Sequence, residues 1–327
     1  MALPSGIGGQ FGVVAESTYG TYVAPTRFLE FKSESLKADV AQVQSFAMGR
    51  GRFLRTSRNK SYIKGAGGSV ELPVMSKGFG LIFKHMLGTL AVAQQGGTSE
   101  YLHTATVDAV GLVGLFLTAQ VGRPDVGATV RPFNYEGTKV TGWELKCELD
   151  AQLMLTLDLD SETEQTSDAL AVASYASSDE ALYFTGGSAT IGGSAVSLRS
   201  ISLKGDNALD TDRRFIGNAK KEPLPNGEAS VSASLDFEFE ALTRHGQLTA
   251  GTEISNLIVT FDTGTAIPSG NGSNFKLVVT VPKLIYVNGA PSIGGPDVLR
   301  EQLEAKVLYD GTNSPVKLEY YTTDTAA

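Results

Sequence analysis

The chain has 327 residues, 42% hydrophobic and 19% charged, with a formal net charge of -8. That is a globular composition, and it excludes a chain disordered throughout. The net acidity also excludes a protein that grips phosphate over its whole surface, because non-specific affinity for nucleic acid comes from Lys and Arg. Its one cysteine, Cys147, excludes an internal disulfide, and no apolar run approaches the roughly 18 residues of a spanning helix, so no membrane partner is expected.

The first stretch, "MALPSGIGGQFGVVAE", has no charged region leading into an apolar one. Gly6, Gly8, Gly9 and Gly12 match neither the dinucleotide fingerprint nor the phosphate loop and follow no strand, so residues 1–27 read as an N-terminal arm. A short strand at "SESLK" (33–37) is followed by "RGRFLRTSRNKSYIKGAGG" from position 50. Here Arg50, Arg52, Arg55, Arg58, Lys60 and Lys64 occur with no acidic residue between Asp39 and Glu71. A block of like charge in an acidic chain marks a solvated segment or a surface for an oppositely charged partner. It is assigned to a strand-to-strand loop over 46–67.

Next, Phe79, Ile82, Phe83 and Met86 follow i, i+3, i+4, i+7 spacing, which predicts one amphipathic helix over 76–88. "WELKCELDAQLMLTLDLD" then alternates: Trp143, Leu145, Cys147, Leu149, Leu153, Leu155, Leu157 and Leu159 on one face, and Glu144, Lys146, Glu148, Asp150, Asp158 and Asp160 on the other. Period two with "LDAQ" in the middle predicts a hairpin with a core face and an acidic face, and a buried Cys147. "SVSASLDFEFEA" repeats the pattern, placing Asp236, Glu238 and Glu240 together.

Internal similarity appears as four anchors in the same order. "SESLK" at 33 answers "SISLK" at 200, "GGSVELPV" at 67 answers "GEASVSASL" at 227, "GT" at 88 answers "GT" at 251, and "LFLTAQVG" at 115 answers "LIVTFDTG" at 257. The order reads as a duplication, with units at 28–165 and 166–327, the latter carrying the C-terminal segment. In the second copy the basic residues Arg213, Arg214, Lys220 and Lys221 again lie between the SxSLK strand and the next, in a loop over 211–227.

No enzyme motif emerges, and no cofactor or metal is expected. His85, His103 and His245 are far apart with no metal-ligand spacing. The pairs Asp158/Asp160 and Glu238/Glu240 invite a glycosidase or calcium reading, but residues two apart on a strand share the solvated face of any half-exposed sheet. "DNALDTD" at 206–212 lacks the Gly and final Glu of a calcium loop.

The stretches "FGVVAESTYGTYVAPTRFLEFKSESL", "YEGTKVTGWEL", "SISLKGDNALDTDRRFIG" and "PNGEASVSASLDFEFE" together resemble the major tail tube proteins of long, flexible-tailed (siphovirus-type) bacteriophages. The resemblance implies an all-β, sandwich- or barrel-like fold with a short helix per unit, assembling into stacked rings with a continuous inner barrel. It implies a virion protein, assembled in the host cytoplasm, whose tube delivers DNA without binding it, and whose other partners are the tape measure and tail terminator. On this footing the basic residues of both loops are inter-ring contacts, where complementary charge fixes register. Asp236, Glu238 and Glu240, with Glu148, Asp150, Asp158 and Asp160, are lumen-facing. Two units per chain favour a homotrimer that mimics a hexamer, with a true homohexamer as the alternative. A tail accessory, decoration or host-surface-binding protein is the alternative function.

Overall fold

A computed structural model describes residues 5–45, 47–49, 53–107, 111–291 and 293–327. Arg50 and Arg52 lie outside them. The fold is all-β with two short helices, and the strands run antiparallel.

The first half opens with β1 (Gln10–Ala15) and β2 (Arg27–Leu29), then β3 (Ser33–Glu34), β4 (Lys37–Gln44) and β5 (Asn59–Pro73). After α1 (Gly80–Leu87) come β6 (Gly88–Gln94), β7 (Tyr101–Val107), β8 (Leu117–Pro124), β9 (Val130–Glu148), β10 (Met154–Ser161) and β11 (Thr163–Gln165). The second half holds β12 (Gly187–Ile191), β13 (Ser194–Val196), β14 (Ser200–Asp206), β15 (Arg214–Phe215), β16 (Asn218–Lys220) and β17 (Ser230–Glu238). It ends with α2 (Thr243–Ala250), β18 (Glu253–Ala266), β19 (Asn274–Asn288), β20 (Arg300–Val307) and β21 (Lys317–Thr322).

One long sheet runs in the order β4, β5, β10, β9, β14, β17, β20, β19. A second layer packs β2, β1, β8, the first half of β9, and β11. β9 belongs to both layers because its ladder to β10 shifts register between Asp158 and Leu159, and such a bulge bends a strand. β19 does the same work in the second half, pairing with β18 on one side and with β21 and then β20 on the other.

The pairings contain one succession twice. A hairpin (β1–β2, β12–β13) docks on the first strand of a longer hairpin (β8–β9, β18–β19), and the SxSLK strand leads into β5 or β17, then a helix. Each half closes with a strand on the far end of the long hairpin (β10, β20) and a short one near its start (β11, β21). β6–β7 follows α1 and β15–β16 precedes β17, each in one half alone among the described residues. The helix signal legible at 76–88 is α1, while α2 carries no apolar stripe and only the resemblance, with its short helix per unit, implied it.

Residues 10–15, expected in an arm, are instead the strand between β2 and β8, with Phe11 and Val13 buried. Residues 166–183 cross back over the first half: Gln120 bonds Ala169 and Ala171, Lys77 bonds Ser177, and Leu182 joins Val74 and Leu153.

Apolar faces of both layers meet in one continuous core containing Phe11, Leu72, Trp143, Leu155, Leu235 and Leu277. Period two is obeyed where expected: Trp143, Leu145, Cys147, Leu153, Leu155, Leu157 and Leu159 are buried. Leu149 is exposed because the chain turns there, with Asp150 at φ +58. Burial pushes the Cys147 thiol up to about 11, so it is inert packing. α1 buries Leu81, Ile82, Phe83, Met86 and Leu87, and Tyr320 of β21 meets the Phe83 ring edge-on at 5.5 Å.

Candidate functional site

Among the described residues no group of three or more His, Cys, Asp or Glu side chains could hold a metal ion, and no helix is long and apolar enough to cross a membrane. The features with functional content are a projecting hairpin, a loop beside it, and one charged face of the long sheet.

The hairpin is β4 and β5, paired from Lys37↔Gly67 out to Gln44↔Asn59. Its outer part touches no second layer, so Val40, Val43, Tyr62 and Ile63 are exposed on both faces, and Phe53 and Leu54 near the tip are exposed as well. β5 begins at Asn59, so the expected loop over 46–67 is a shorter tip followed by strand, with Arg55 and Arg58 in the tip and Lys60 and Lys64 on β5. Lys64 stands at the bulge opposite Asp39 and Val40, 3.5 Å from Asp212 and 3.9 Å from Asp39.

The loop over 211–227 folds against the root of this hairpin. Arg214 pairs with Asp212 at 2.6 Å and donates to the Tyr62 hydroxyl at 3.4 Å. These partners hold the Asp212 carboxyl below, and the Arg214 guanidinium above, their ordinary values. Arg213 donates to the Glu222 carbonyl at 3.0 Å. Lys220 is buried, donating to Asp160 and, at 3.2 Å, to the Ser161 carbonyl. Burial raises the Asp160 pKa, with Lys220 acting against it. The sequence missed a second buried pair: Lys139, 1% exposed, donates to Glu222 at 2.6 Å and to the Pro223 carbonyl, and burial lowers its pKa. A Lys between Thr138 and Val140 in "EGTKVTGW" was the available signal.

Polar residues share the other face of the long sheet, row by row. One row runs Glu71, Thr156, Glu144, Lys204, Ser232, Lys306, the next Ser69, Asp158, Gly142, Asp206, Ser230, and another Glu148, Ser200, Asp236, Gln302. The expected acidic positions do not all fall together. Glu148, Asp158, Asp236 and Glu238 stand on this face, and so does Asp160, but the 211–227 loop covers it. Asp150 sits at the β9–β10 turn, and Glu240 lies past β17 at 3.7 Å from Arg244 of α2.

The face is mixed rather than purely acidic. Lys146 pairs with Glu148 at 2.6 Å, which lowers the carboxyl and raises the ammonium pKa, and Arg199 pairs with Glu238 at 3.2 Å. Arg300 bonds Asp236, whose side chain is nearly buried. Each cation on the face that pairs this way is already spent on a neighbouring carboxylate.

A family model described as "Phage tail tube protein" matches residues 6–307. The chain belongs to the phage tail tube protein family. No curated protein matches it. Membership makes the chain a structural component of a phage tail, and it gives the charged sheet face and the projecting hairpin the context of a tube wall.

Proposed function

We propose that this tail tube protein self-assembles into stacked rings that form a hollow conduit for phage DNA, with three chains per ring presenting six similar units. The observation that carries the reading is the seam inside the chain, where β9 of the first half pairs with β14 of the second along Gly142–Glu148. A unit that joins its successor edge to edge within a chain can join the next chain the same way, by β4 on one side and β19 on the other. Closing the ring removes the free edge of β4, which an isolated subunit leaves open to aggregation.

In that arrangement the mixed face of the long sheet lines the lumen. Lys146, Arg199 and Arg300 on that face are held by carboxylates, and Lys204 and Lys306 stand among Glu144, Asp158, Asp206 and Glu304, so the face as a whole repels phosphate and the strand slides instead of sticking. The β4–β5 hairpin reaches the adjacent ring, offering Arg55, Arg58 and Lys60 with Val40, Val43 and Phe53. Of the second loop, Lys220 is buried within its own chain and Arg213 and Arg214 are bonded to Glu222 and Asp212, so Lys221 is the residue offered most directly to a neighbouring ring.

Electron microscopy of concentrated purified protein tests this, with symmetry analysis of end-on views. Three-fold tubes with a six-lobed outline support it. Strict six-fold rings keep the tube and remove the trimer, and compact monomers under every condition overturn the reading.

A further inference from the structure

Inside the chain, the edge of β9 that carries β8 over Val130–Thr138 passes to β14 over Gly142–Glu148. β19 has the same edge. Over Asn274–Val281 it carries the body of β18, and Lys283–Asn288 then stands where β9 receives β14. Here the chain covers the edge itself: Glu253↔Ile285, Ile254↔Leu284 and Ser255↔Lys283 extend β18 across it. The matching segment of the first half, Gly111–Val113, makes no such pairing. It forms a turn closed by the Leu115 amide on the Leu112 carbonyl at 3.1 Å, and Gly114 donates to Glu222.

Several features make the covering segment a poor permanent fixture. The ladder skips Asn256, which takes φ +52, so Glu253–Ser255 hangs on a kink that a residue with a Cβ adopts reluctantly. α2, just before it, buries none of its residues, whereas α1 is almost wholly buried. Arg244 of α2 lies 4.0 Å over the Phe237 ring, and Glu301, the cross-strand partner of Phe237, is 0% exposed with neither carboxylate oxygen hydrogen-bonded. Nδ1 of His245, also on α2, is buried without a partner. Ile254 and the Arg244–Phe237 stack hold the cover down, and the buried polar atoms left unsatisfied beneath it cost stability and offset part of that hold.

The internal seam also names the occupant that would replace it. "SESLK" at 33 matches "SISLK" at 200, with Asp39 falling where Asp206 stands, and among the described residues β3 and β4 pair with β5 alone. Transferring the register Leu145↔Leu203, Glu144↔Lys204, Gly142↔Asp206 sets Tyr286 opposite Leu36, Ile285 opposite Lys37 and Lys283 opposite Asp39. Lys283 lies 3.5 Å from Glu253 in the free chain, so it would exchange one carboxylate for another.

We propose that Thr243–Ser255 is a flap that masks the β19 edge of the free subunit and is displaced when Leu36–Asp39 of a second copy pairs with Lys283–Tyr286. The proposal rests on the self-assembly reading and adds a gate to it. Each subunit added must release three residues of flap, which slows association of free subunits at low concentration and favours addition at a growing end.

A disulfide lock tests it: Glu253→Cys with Ile285→Cys pins the flap, and Thr260→Cys with Val278→Cys pins the same two strands beyond the kink. The oxidised flap lock should remain as free subunits by sedimentation and electron microscopy and form tubes on reduction, while the control forms tubes in both states. Amide exchange on the unmodified protein gives an independent reading. Residues 253–255 should exchange at least ~10-fold faster in tubes than in subunits, with 257–261 protected in both. Tubes from the oxidised flap lock, or equal protection of 253–255 in both states, overturn the flap. Failure of the unmodified protein to assemble at all overturns the self-assembly reading beneath it, and the flap with it.

Discussion

Lys220 and Asp160 form an ion pair within one chain, closed over by the β15–β16 hairpin, although both lie in stretches whose charge pattern pointed outward. A buried pair loses much of its Coulomb gain to desolvation, yet removing one partner strands the other charge. Lys220→Met should therefore destabilise the subunit by about 3 kcal/mol in denaturant unfolding, and adding Asp160→Asn should recover a good part of it. The pH dependence gives a second check. Burial already raises the Asp160 pKa, so the proton is bound more tightly folded than unfolded, and the ionised group opposes folding as pH rises through its folded value. Without Lys220 the folded value rises further, so the loss of stability still begins near the ordinary value of 3.8 but extends to higher pH and is larger.

Gly205 faces Trp143 across the β9–β14 seam, and a Cβ there would lie 2.2 Å from the Trp143 ring. Trp143 is fixed in the core at 2% exposure, so the clash has no cheap relief. Gly205→Ala should cost about 1–3 kcal/mol in thermal or denaturant unfolding. Since the seam joins the two halves, the unfolding transition should also broaden or split. A single transition with unchanged midpoint would show that the seam is not packed this way.

The sequence made much of this fold legible where one physical rule acts alone. Alternation from Trp143 to Leu159 gave the hairpin and its buried face, and helical spacing gave α1, because one-sided burial leaves a period in the residues. α2 left no pattern in the residues, since a helix that buries none of them has no stripe to read, and only the resemblance, with its short helix per unit, implied it. The basic residues of the 211–227 loop were legible as charge but not as geometry: Lys220 is buried, and with it Lys139, because the loop folds onto Asp160 and Lys139, far away in the chain. The polar faces were legible strand by strand, Lys146 among the carboxylates of its own strand, but Lys204 and Arg300 reach them from neighbouring strands, and no single strand's period displays that.

His85 is buried in α1, its Nδ1 2.9 Å from the Leu81 carbonyl, and burial holds its pKa down to about 4. The unfolded chain takes up that proton near the ordinary value of 6.5, while the folded chain does not. Its contribution is thus intact above pH 6.5 and falls away as pH drops toward 4, by roughly 3 kcal/mol at about 1.4 kcal/mol per unit. His103, also lowered by burial, acts with the same sign, and Glu301 and Asp160, raised by burial, act against it. His85→Gln should narrow the stability difference between pH 7 and pH 4, measured by denaturant unfolding of the free subunit. An unchanged pH profile in that variant would mean the imidazole is protonated in the folded state.

The charge on the long sheet's polar face can be inverted without touching a buried pair. Asp236 is the wrong residue for this, because a Lys there would meet Arg300, and Glu240 lies off the face beside Arg244. Glu238 is taken by Arg199, whereas Asp158, Asp206 and Glu304 are exposed on the face and form no ion pair among the described residues, and Asp158 and Asp206 flank Gly142 in one row. Replacing all three with Lys should leave folding and tube formation intact. The altered face should then bind DNA with a log–log salt slope of about -0.9 for each phosphate neutralised. Phage carrying the variant should assemble tails and lose infectivity at the delivery step. If DNA affinity rises in the free subunit but infectivity is unchanged, this face does not line the conduit. If tubes fail to form while the subunit stays folded, the same carboxylates contribute to ring contacts instead.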